Sequence, residues 1–244
     1  MVLLGALRHG LSCSSLHATV NIAWERTMLP STIMDLVSPD ELVFDIGAHA
    51  GDKAIPFLQK GARLVCVEPQ PQLAEDMRTR FSGNPSVTVV AKGVGKVPGT
   101  LNLDICTKSP VLSTFSTHWK AGRFSGYEWD EQVEVEITTM DELIALYGEP
   151  RYSKIDVEGF EREVVEGLSC RIGILSLEFT SEYISHTMQI VHRLVNLGYE
   201  EFNLALAEDP RFQLDQWVSW YDVVRILGNS AKDNAKLWGD LYAR

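Results

Sequence analysis

Val43-Phe44-Asp45-Ile46-Gly47-Ala48-His49-Ala50-Gly51-Asp52 is the stretch that decides how this chain is read. Residues 42–46 form a short apolar run with one acid, the pattern of a buried strand, and the glycines after it predict a tight turn into a helix. A glycine turn at the carboxyl end of a first strand is where open α/β sheets bind nucleosides. Dinucleotide sites space their glycines G-x-G-x-x-G so that a pyrophosphate rests on a helix N-terminus. Here His49 stands in place of the middle glycine, and Asp45 and Asp52 flank the turn. Two carboxylates repel a diphosphate and suit a cation. S-adenosylmethionine, which carries a sulfonium and an ammonium but no phosphate, is the better ligand.

Outward from this turn the pattern alternates between strand and helix. A strand over 63–67 ends at Glu68-Pro69, and Glu68 follows Asp45 by 23 positions. A carboxylate there can accept hydrogen bonds from both hydroxyls of a ribose. The plainer alternatives are a turn or capping carboxylate at Asp45 and a solvent-exposed strand end at Glu68. Pro56 lacks an N–H, so the helix before Gly61 is expected to start late or kink. A helix over 71–81 and a strand over 87–90 follow. Strand-like pieces over 100–106 and 133–137 flank an aromatic stretch, and a short helix over 141–147 returns the chain to a strand at 152–156. After that come a helix near 160–168, a strand at 172–179, a helix at 184–195 closed by Gly198, and strands at 202–206 and 217–227. The last two are joined by too short a loop for a helical crossover and are expected to pair antiparallel.

The fold expected is therefore α/β: a doubly wound, mostly parallel seven-stranded sheet with an antiparallel last strand, the class I methyltransferase plan. Residues 1–40 are expected as an N-terminal helical extension and 41–230 as the cofactor-binding domain, with an insertion over about 96–138. Residues 231–244 are expected as a C-terminal helix, since Leu237, Trp238, Leu241 and Tyr242 form a helical apolar stripe suited to core packing or a homodimer contact.

Four segments carry a family resemblance: Phe44 to Gly51, Val67-Glu68-Pro69-Gln70-Pro71, Thr139-Met140-Asp141-Glu142-Leu143 and Lys154-Ile155-Asp156-Val157-Glu158-Gly159-Phe160-Glu161. In content and order they resemble the FkbM family of methyltransferases over about residues 41–180, the last segment being the most distinctive. The resemblance implies methyl transfer from S-adenosylmethionine to a hydroxyl oxygen, commonly of a secondary metabolite or sugar. It implies Asp45, Gly47 and Glu68 at the cofactor, and it sets His49 where many relatives have Asn. Ala48, Gly51 and Pro69 complete the expected cofactor contacts around the two turns. Lys92-Gly93, after the third strand, is expected to pass the adenine, the plainer reading being an ordinary turn.

Methyl transfer needs an acceptor atom held in line with the C–S bond and a group to take its proton. Asp156 and Glu158, at the end of the fourth strand, are the leading pair, with Gly159 allowing close approach. Their alternative roles are fixing the cofactor-side loop (Asp156) and capping the helix near Phe160 (Glu158). Lys154 is expected to pair with them. Glu178, ending the next strand, is a second candidate base, or else an acid exposed to water. His118 is a third, or a hydrogen-bonded bystander. It lies in the aromatic stretch 115–129, which suits either a substrate lid or a docking element. Two carboxylates can hold a divalent cation, but no third ligand is in evidence, so no metal is expected.

Formal charge of -11, with no basic cluster, argues against a nucleic-acid partner and favours a small-molecule or carbohydrate substrate. Cys13, Cys66, Cys106 and Cys170 are too scattered for a zinc site or disulfide framework. The apolar N-terminus is broken by Arg8 and His9 too early for a signal segment, and no run reaches membrane-spanning length, so a cytoplasmic protein without a membrane partner is expected. Two other readings compete: an NAD-linked oxidoreductase, opposed by the missing glycine and the antiparallel sheet end, and a non-catalytic binding module, opposed by the retained Asp45, Glu68 and Asp156.

Overall fold

A computed structural model describes residues 32–244, so most of the expected extension over 1–40 lies outside the described residues; within it, Ile33–Leu36 is one 3-10 turn. The first half alternates as expected: β1 (Leu42–Ile46), α1 (Ile55–Gln59), β2 (Arg63–Val67), α2 (Pro71–Arg80) and β3 (Val87–Val90). α1 starts late, with Pro56 in its first turn, where the missing N–H costs nothing. β4 (Gly93–Val94), β5 (Gly99–Ile105) and β6 (Glu131–Thr138) form a separate three-stranded sheet, with β5 and β6 paired antiparallel from Gly99↔Ile137 to Ile105↔Glu131. α3 (Met140–Tyr147), capped by the Thr139 side chain, then leads back to β7 (Tyr152–Ile155).

α4 (Glu161–Glu166), β8 (Ile174–Thr180), α5 (Ile184–Asn196) and β9 (Glu201–Leu206) follow the expected order. Beyond them two expectations fail. Residues 217–227 are not a long strand: β10 is only Val218–Ser219, and α6 runs over Trp220–Asp233. The aromatic and β-branched content suggested a strand, but the residues that reach the core, Val223 and Leu227, are one helical turn apart. The Ser219 side chain caps this helix by accepting the Asp222 N–H. Residues 231–244 are not a C-terminal helix either, because Trp238–Ala243 is strand β11. Leu241 enters one core and Tyr242 the other, and a strand buried on both faces loses the alternation that would betray it.

The main sheet has the order β10-β9-β11-β8-β7-β1-β2-β3. β11 runs antiparallel to both neighbours, β8 and β9, and the two-residue β10 is an antiparallel addition to the edge. The antiparallel strand of the expected plan is thus present, but supplied by residues 238–243 and inserted before β9. Alternate residues of β1 feed two cores: Leu42, Phe44 and Ile46 join α3 to α6, and Val43 joins α1 and α2. No helix among the described residues is long and apolar enough to cross a membrane. The sheet delivers the carboxyl ends of β1, β2, β7 and β8 to one rim.

Candidate active site

The turn after β1 is held from three sides. The Gly47 and Ala48 N–H groups donate to Val67 O at 2.9 and 3.0 Å, and the Asp156 N–H donates to Ile46 O at 2.9 Å. Gly47 has φ +82°, and a Cβ there would lie 1.8 Å from the Asp156 carbonyl oxygen, so β1 and β7 approach closely only because residue 47 has no side chain. His49 also takes a positive φ, 50°, a conformation that polar residues such as His and Asn tolerate better than most.

Glu68 closes this turn from β2. Its Oε2 accepts the His49 N–H at 2.8 Å and its Oε1 accepts the Gln70 N–H at 2.9 Å. It is only 2% exposed, which excludes a solvated strand end. Burial pushes its pKa up to about 7, against the opposing pull of the two N–H groups. A cavity of about 170 Å³ opens beyond these turns. Gly47, Ala48, His49, Glu68, Pro69, Lys92, Gly93 and Asp156 line it, as does Glu158. Lys92 also pairs with Glu136 on β6. Leu103, Val111 and Phe115 form an apolar wall from the small sheet and the loop after it, which no local pattern announced.

Two expected cofactor residues stand behind the cavity. Gly51 has φ +78°, and a Cβ there would meet Phe81 and Met77; it lets α2 pack against the turn. Asp45 is buried, its register partner on β7 is Lys154, and its Oδ2 has no hydrogen-bond partner. Burial raises the Asp45 pKa to about 6, with Lys154 opposing.

Asp156, Glu158 and Glu178 come together at the rim, with one oxygen of each inside a span of 4.8 Å. The third carboxylate of the cluster is Glu178, expected as a second candidate base, and it is not an isolated strand end. Lys154 Nζ donates to Asp156 Oδ2 at 2.6 Å and lies 3.8 Å from Asp240 Oδ1 on β11, so it pairs as expected and with an extra partner. Glu158 has φ 53° and is followed by Gly159 at φ 87°, a left-handed pair that turns the chain back at the rim. Burial and the neighbouring carboxylates raise the pKa values of Glu158 and Glu178 well above the usual range. Glu158 does not cap α4. No side chain caps it; Glu161, its first residue, instead accepts the Val157 and Gly159 N–H groups of the preceding loop through Oε1 at 3.1 and 3.2 Å. Burial raises the Glu161 pKa to about 7.

His118 lies away from the carboxylates, on a second cavity of about 260 Å³ that also takes in Trp119, Glu178, Thr180, Tyr183 and His186. The loop carrying it is docked. Trp119 stacks on Tyr183 with centroids 5.6 Å apart, Lys120 pairs with Asp104 at 2.6 Å, Arg123 meets Glu182 through two hydrogen bonds, and Tyr183 Oη donates to His118 O. The aromatic loop is thus tied down while also lining both cavities.

Asp45, Glu68 and Glu161 all bind a proton more tightly folded than unfolded. Their contribution to stability is full below the ordinary carboxylate range and is lost as pH rises from about 4 to about 7. The cofactor-free protein is expected to melt at a lower temperature near pH 8 than near pH 5, as followed by calorimetry. A rise over that interval would show that these acids are not destabilised by burial.

S-adenosylmethionine fits the first cavity on these observations. A buried carboxylate at the end of β2 faces it, the β1 turn keeps acids rather than a phosphate cradle beside it, and an apolar wall covers it. The model of the methyltransferase FkbM domain matches residues 45–201. A search of curated proteins returned no match. Among solved structures, precorrin-6y C5,15-methyltransferase from Geobacter metallireducens GS-15 is similar at 13% identity and TM-score 0.45, over 87% of this chain and 85% of that one. Aeropyrum pernix fibrillarin with natively bound S-adenosyl-L-methionine is similar at 10% identity and TM-score 0.45, over 85% and 67% of the two chains. An rRNA methylase from Streptococcus thermophilus follows at 11% and 0.41, over 87% and 91%. These likenesses are too distant to bear on the substrate. The domain match covers most of the chain and takes in the rim just described: the chain belongs to the FkbM family of methyltransferases, whose cofactor is S-adenosylmethionine.

Proposed function

We propose that the chain methylates a hydroxyl oxygen of a small molecule, the substrate class that the FkbM resemblance implies. The observation that carries this reading is the position of the acid trio. Asp156 and Glu158 line the first cavity, Glu178 lines the second, and Phe115 lines both. A proton acceptor therefore stands where a cofactor site meets an acceptor site. Bound S-adenosylmethionine would supply a methyl carbon on a positively charged sulfur, a leaving group that would keep the C–S electron pair when the methyl passes to the acceptor oxygen. Glu158 takes the acceptor's proton. Asp156 is committed to Lys154 and orients the rim, while Glu68 holds the ribose hydroxyls. The net charge of -11 supports a small acceptor over a polyanion.

Titration calorimetry with S-adenosylhomocysteine and with NAD tests the cofactor side, and labelled methyl transfer tests the activity. Tight NAD binding with no response to S-adenosylhomocysteine would overturn the reading. Glu68→Gln, which keeps one acceptor oxygen for the turn, is expected to weaken S-adenosylhomocysteine binding roughly 10- to 100-fold, the loss of one to two charge-assisted hydrogen bonds. Unchanged affinity would remove Glu68 from the site.

A further inference from the structure

The acids at the rim outnumber the cations that could balance them. Asp156, Glu158 and Glu178 bring one oxygen each within a span of 4.8 Å, and carboxylates that close do not all ionise together. Lys154 on β7 is the ammonium beside them, and it is shared. It bonds to Asp156 at 2.6 Å, lies 3.8 Å from Asp240 on β11, and is the register partner of Asp45 on β1. From α4, Glu161 adds a further carboxyl, engaged with the backbone N–H groups of Val157 and Gly159. From the aromatic loop, Arg123 acts on Glu178, but its guanidinium is bound to Glu182 through two hydrogen bonds. The Glu158 carboxyl has neither a hydrogen bond nor an ion pair among the described residues.

The first cavity, which Glu158 lines, adds no balancing charge. Lys53 and Lys92 line it too, but Lys53 pairs with Glu208 and Lys92 with Glu136. Asp52 on the same wall is taken by Arg80 at 2.8 Å, and His49 gives its backbone N–H to Glu68. Behind the wall the buried Asp45 keeps one oxygen without any hydrogen bond. Glu158 is therefore a carboxyl for which the protein provides no counter-ion, and burial with its acidic neighbours favours its neutral form. The two cofactor forms differ in the charge that is missing here. S-adenosylmethionine carries one methyl group and one positive charge more than S-adenosylhomocysteine, and is otherwise the same molecule.

We propose that Glu158 reads the charge of the cofactor: it holds a proton in the cofactor-free and S-adenosylhomocysteine-bound protein and is ionised when S-adenosylmethionine is bound. On binding, the Glu158 carboxyl gives its proton to solvent and becomes the counter-ion of the sulfonium. In the transfer, Glu158 takes the acceptor's proton as the methyl carbon exchanges its bond to sulfur for one to oxygen. Sulfur loses one positive charge and Glu158 one negative charge, so the rim keeps its net charge through that step. The acceptor's proton then leaves Glu158 only when the next S-adenosylmethionine arrives. This rests on the proposed methyl transfer with Glu158 as the base, and the test separates the two. Titration calorimetry of the full chain, run at about pH 7 in buffers of different ionisation enthalpy, counts the protons each ligand releases without any turnover. S-adenosylmethionine is expected to release about one proton more than S-adenosylhomocysteine, and to bind up to about tenfold tighter per pH unit where Glu158 titrates. S-adenosylhomocysteine should keep a level affinity over that range. Glu158→Gln should still bind S-adenosylhomocysteine and lose the extra proton, while the titration of the ligands' own amino groups is retained and cancels in the comparison. Glu178→Gln should keep the extra proton and move its release to lower pH, since a like charge is removed. The same proton difference in Glu158→Gln as in the natural chain would overturn the proposal and move the linkage to another group, such as His49. So would equal counts for both ligands in the natural chain, an outcome that leaves the methyltransferase reading standing. Binding of neither ligand would overturn both.

Discussion

Gly47→Ala is expected to lose about 3–5 kcal/mol of stability and measurable binding of S-adenosylhomocysteine together. Residue 47 has φ +82°, which costs a side-chain-bearing residue about 1–2 kcal/mol by itself. The larger part comes from what the new methyl meets. Its Cβ would sit 1.8 Å from Asp156 O and 2.9 Å from the Asp156 carbonyl carbon, both backbone atoms between β7 and the acid trio. Neither can step aside without breaking the Asp156 N–H to Ile46 O bond that ties β7 to β1. Opening that seam moves Asp156, Lys154 and the cofactor turn at once. For a chain of this size the melting temperature should fall on the order of 10 °C. Gly99→Ala is the control: a Cβ there meets nothing within 4 Å, and the change should fall within about 0.5 kcal/mol. If both variants melt together, the close approach at Gly47 is not what shapes the rim.

Glu158→Gln is expected to lower kcat for methyl transfer by about 100- to 10,000-fold, the usual range for removing a general base. Affinity for S-adenosylhomocysteine should change little, because the proposed cofactor contacts are chiefly Glu68 and the β1 turn, which line the first cavity. The pH profile adds a second readout. Burial and Glu178 raise the Glu158 pKa, so the rate should climb with pH until the pair loses its shared proton. Glu178→Gln removes a like charge, favours the ionised form of Glu158, and should move that climb to lower pH. Parallel losses of kcat and of S-adenosylhomocysteine affinity in Glu158→Gln, with no shift of the profile in Glu178→Gln, would point to a merely structural role for the trio.

How much of this was legible in the sequence depends on how local each feature is. The β1 turn, Glu68 and the Lys154 to Glu161 segment are short stretches whose chemistry is carried by adjacent residues, and their elements stand where the pattern set them. The end of the sheet was not local. Residues 217–227 combine aromatic and β-branched residues with a helical spacing of core contacts, and composition outweighed the spacing. Residues 237–242 are buried on both faces, so nothing alternates. The site was legible in the same uneven way. Glu178 could be named, but not its meeting with Glu158, since that distance is set by the β7–β8 register. Gly51 belongs to α2 packing and Glu161 to the loop at 157–159; each sits inside a recognisable motif, and only coordinates separate packing from ligand contact. The apolar wall from Leu103 and Val111 comes from another sheet and the loop that follows it.

The placement of β11 between β8 and β9 has a consequence for how the molecule is made. β9 leaves the ribosome before the strand that joins it to the rest of the sheet, and from Phe202 to Leu206 it hydrogen-bonds to β11 rather than to β8. Until residues 238–243 arrive, residues 201–233 have no seat in the sheet, and the edge of β8 stays open to strands from other chains. Asp240, which reaches Lys154 at the rim, comes with that same strand, so the nascent chain completes its acidic rim only when its sheet is closed.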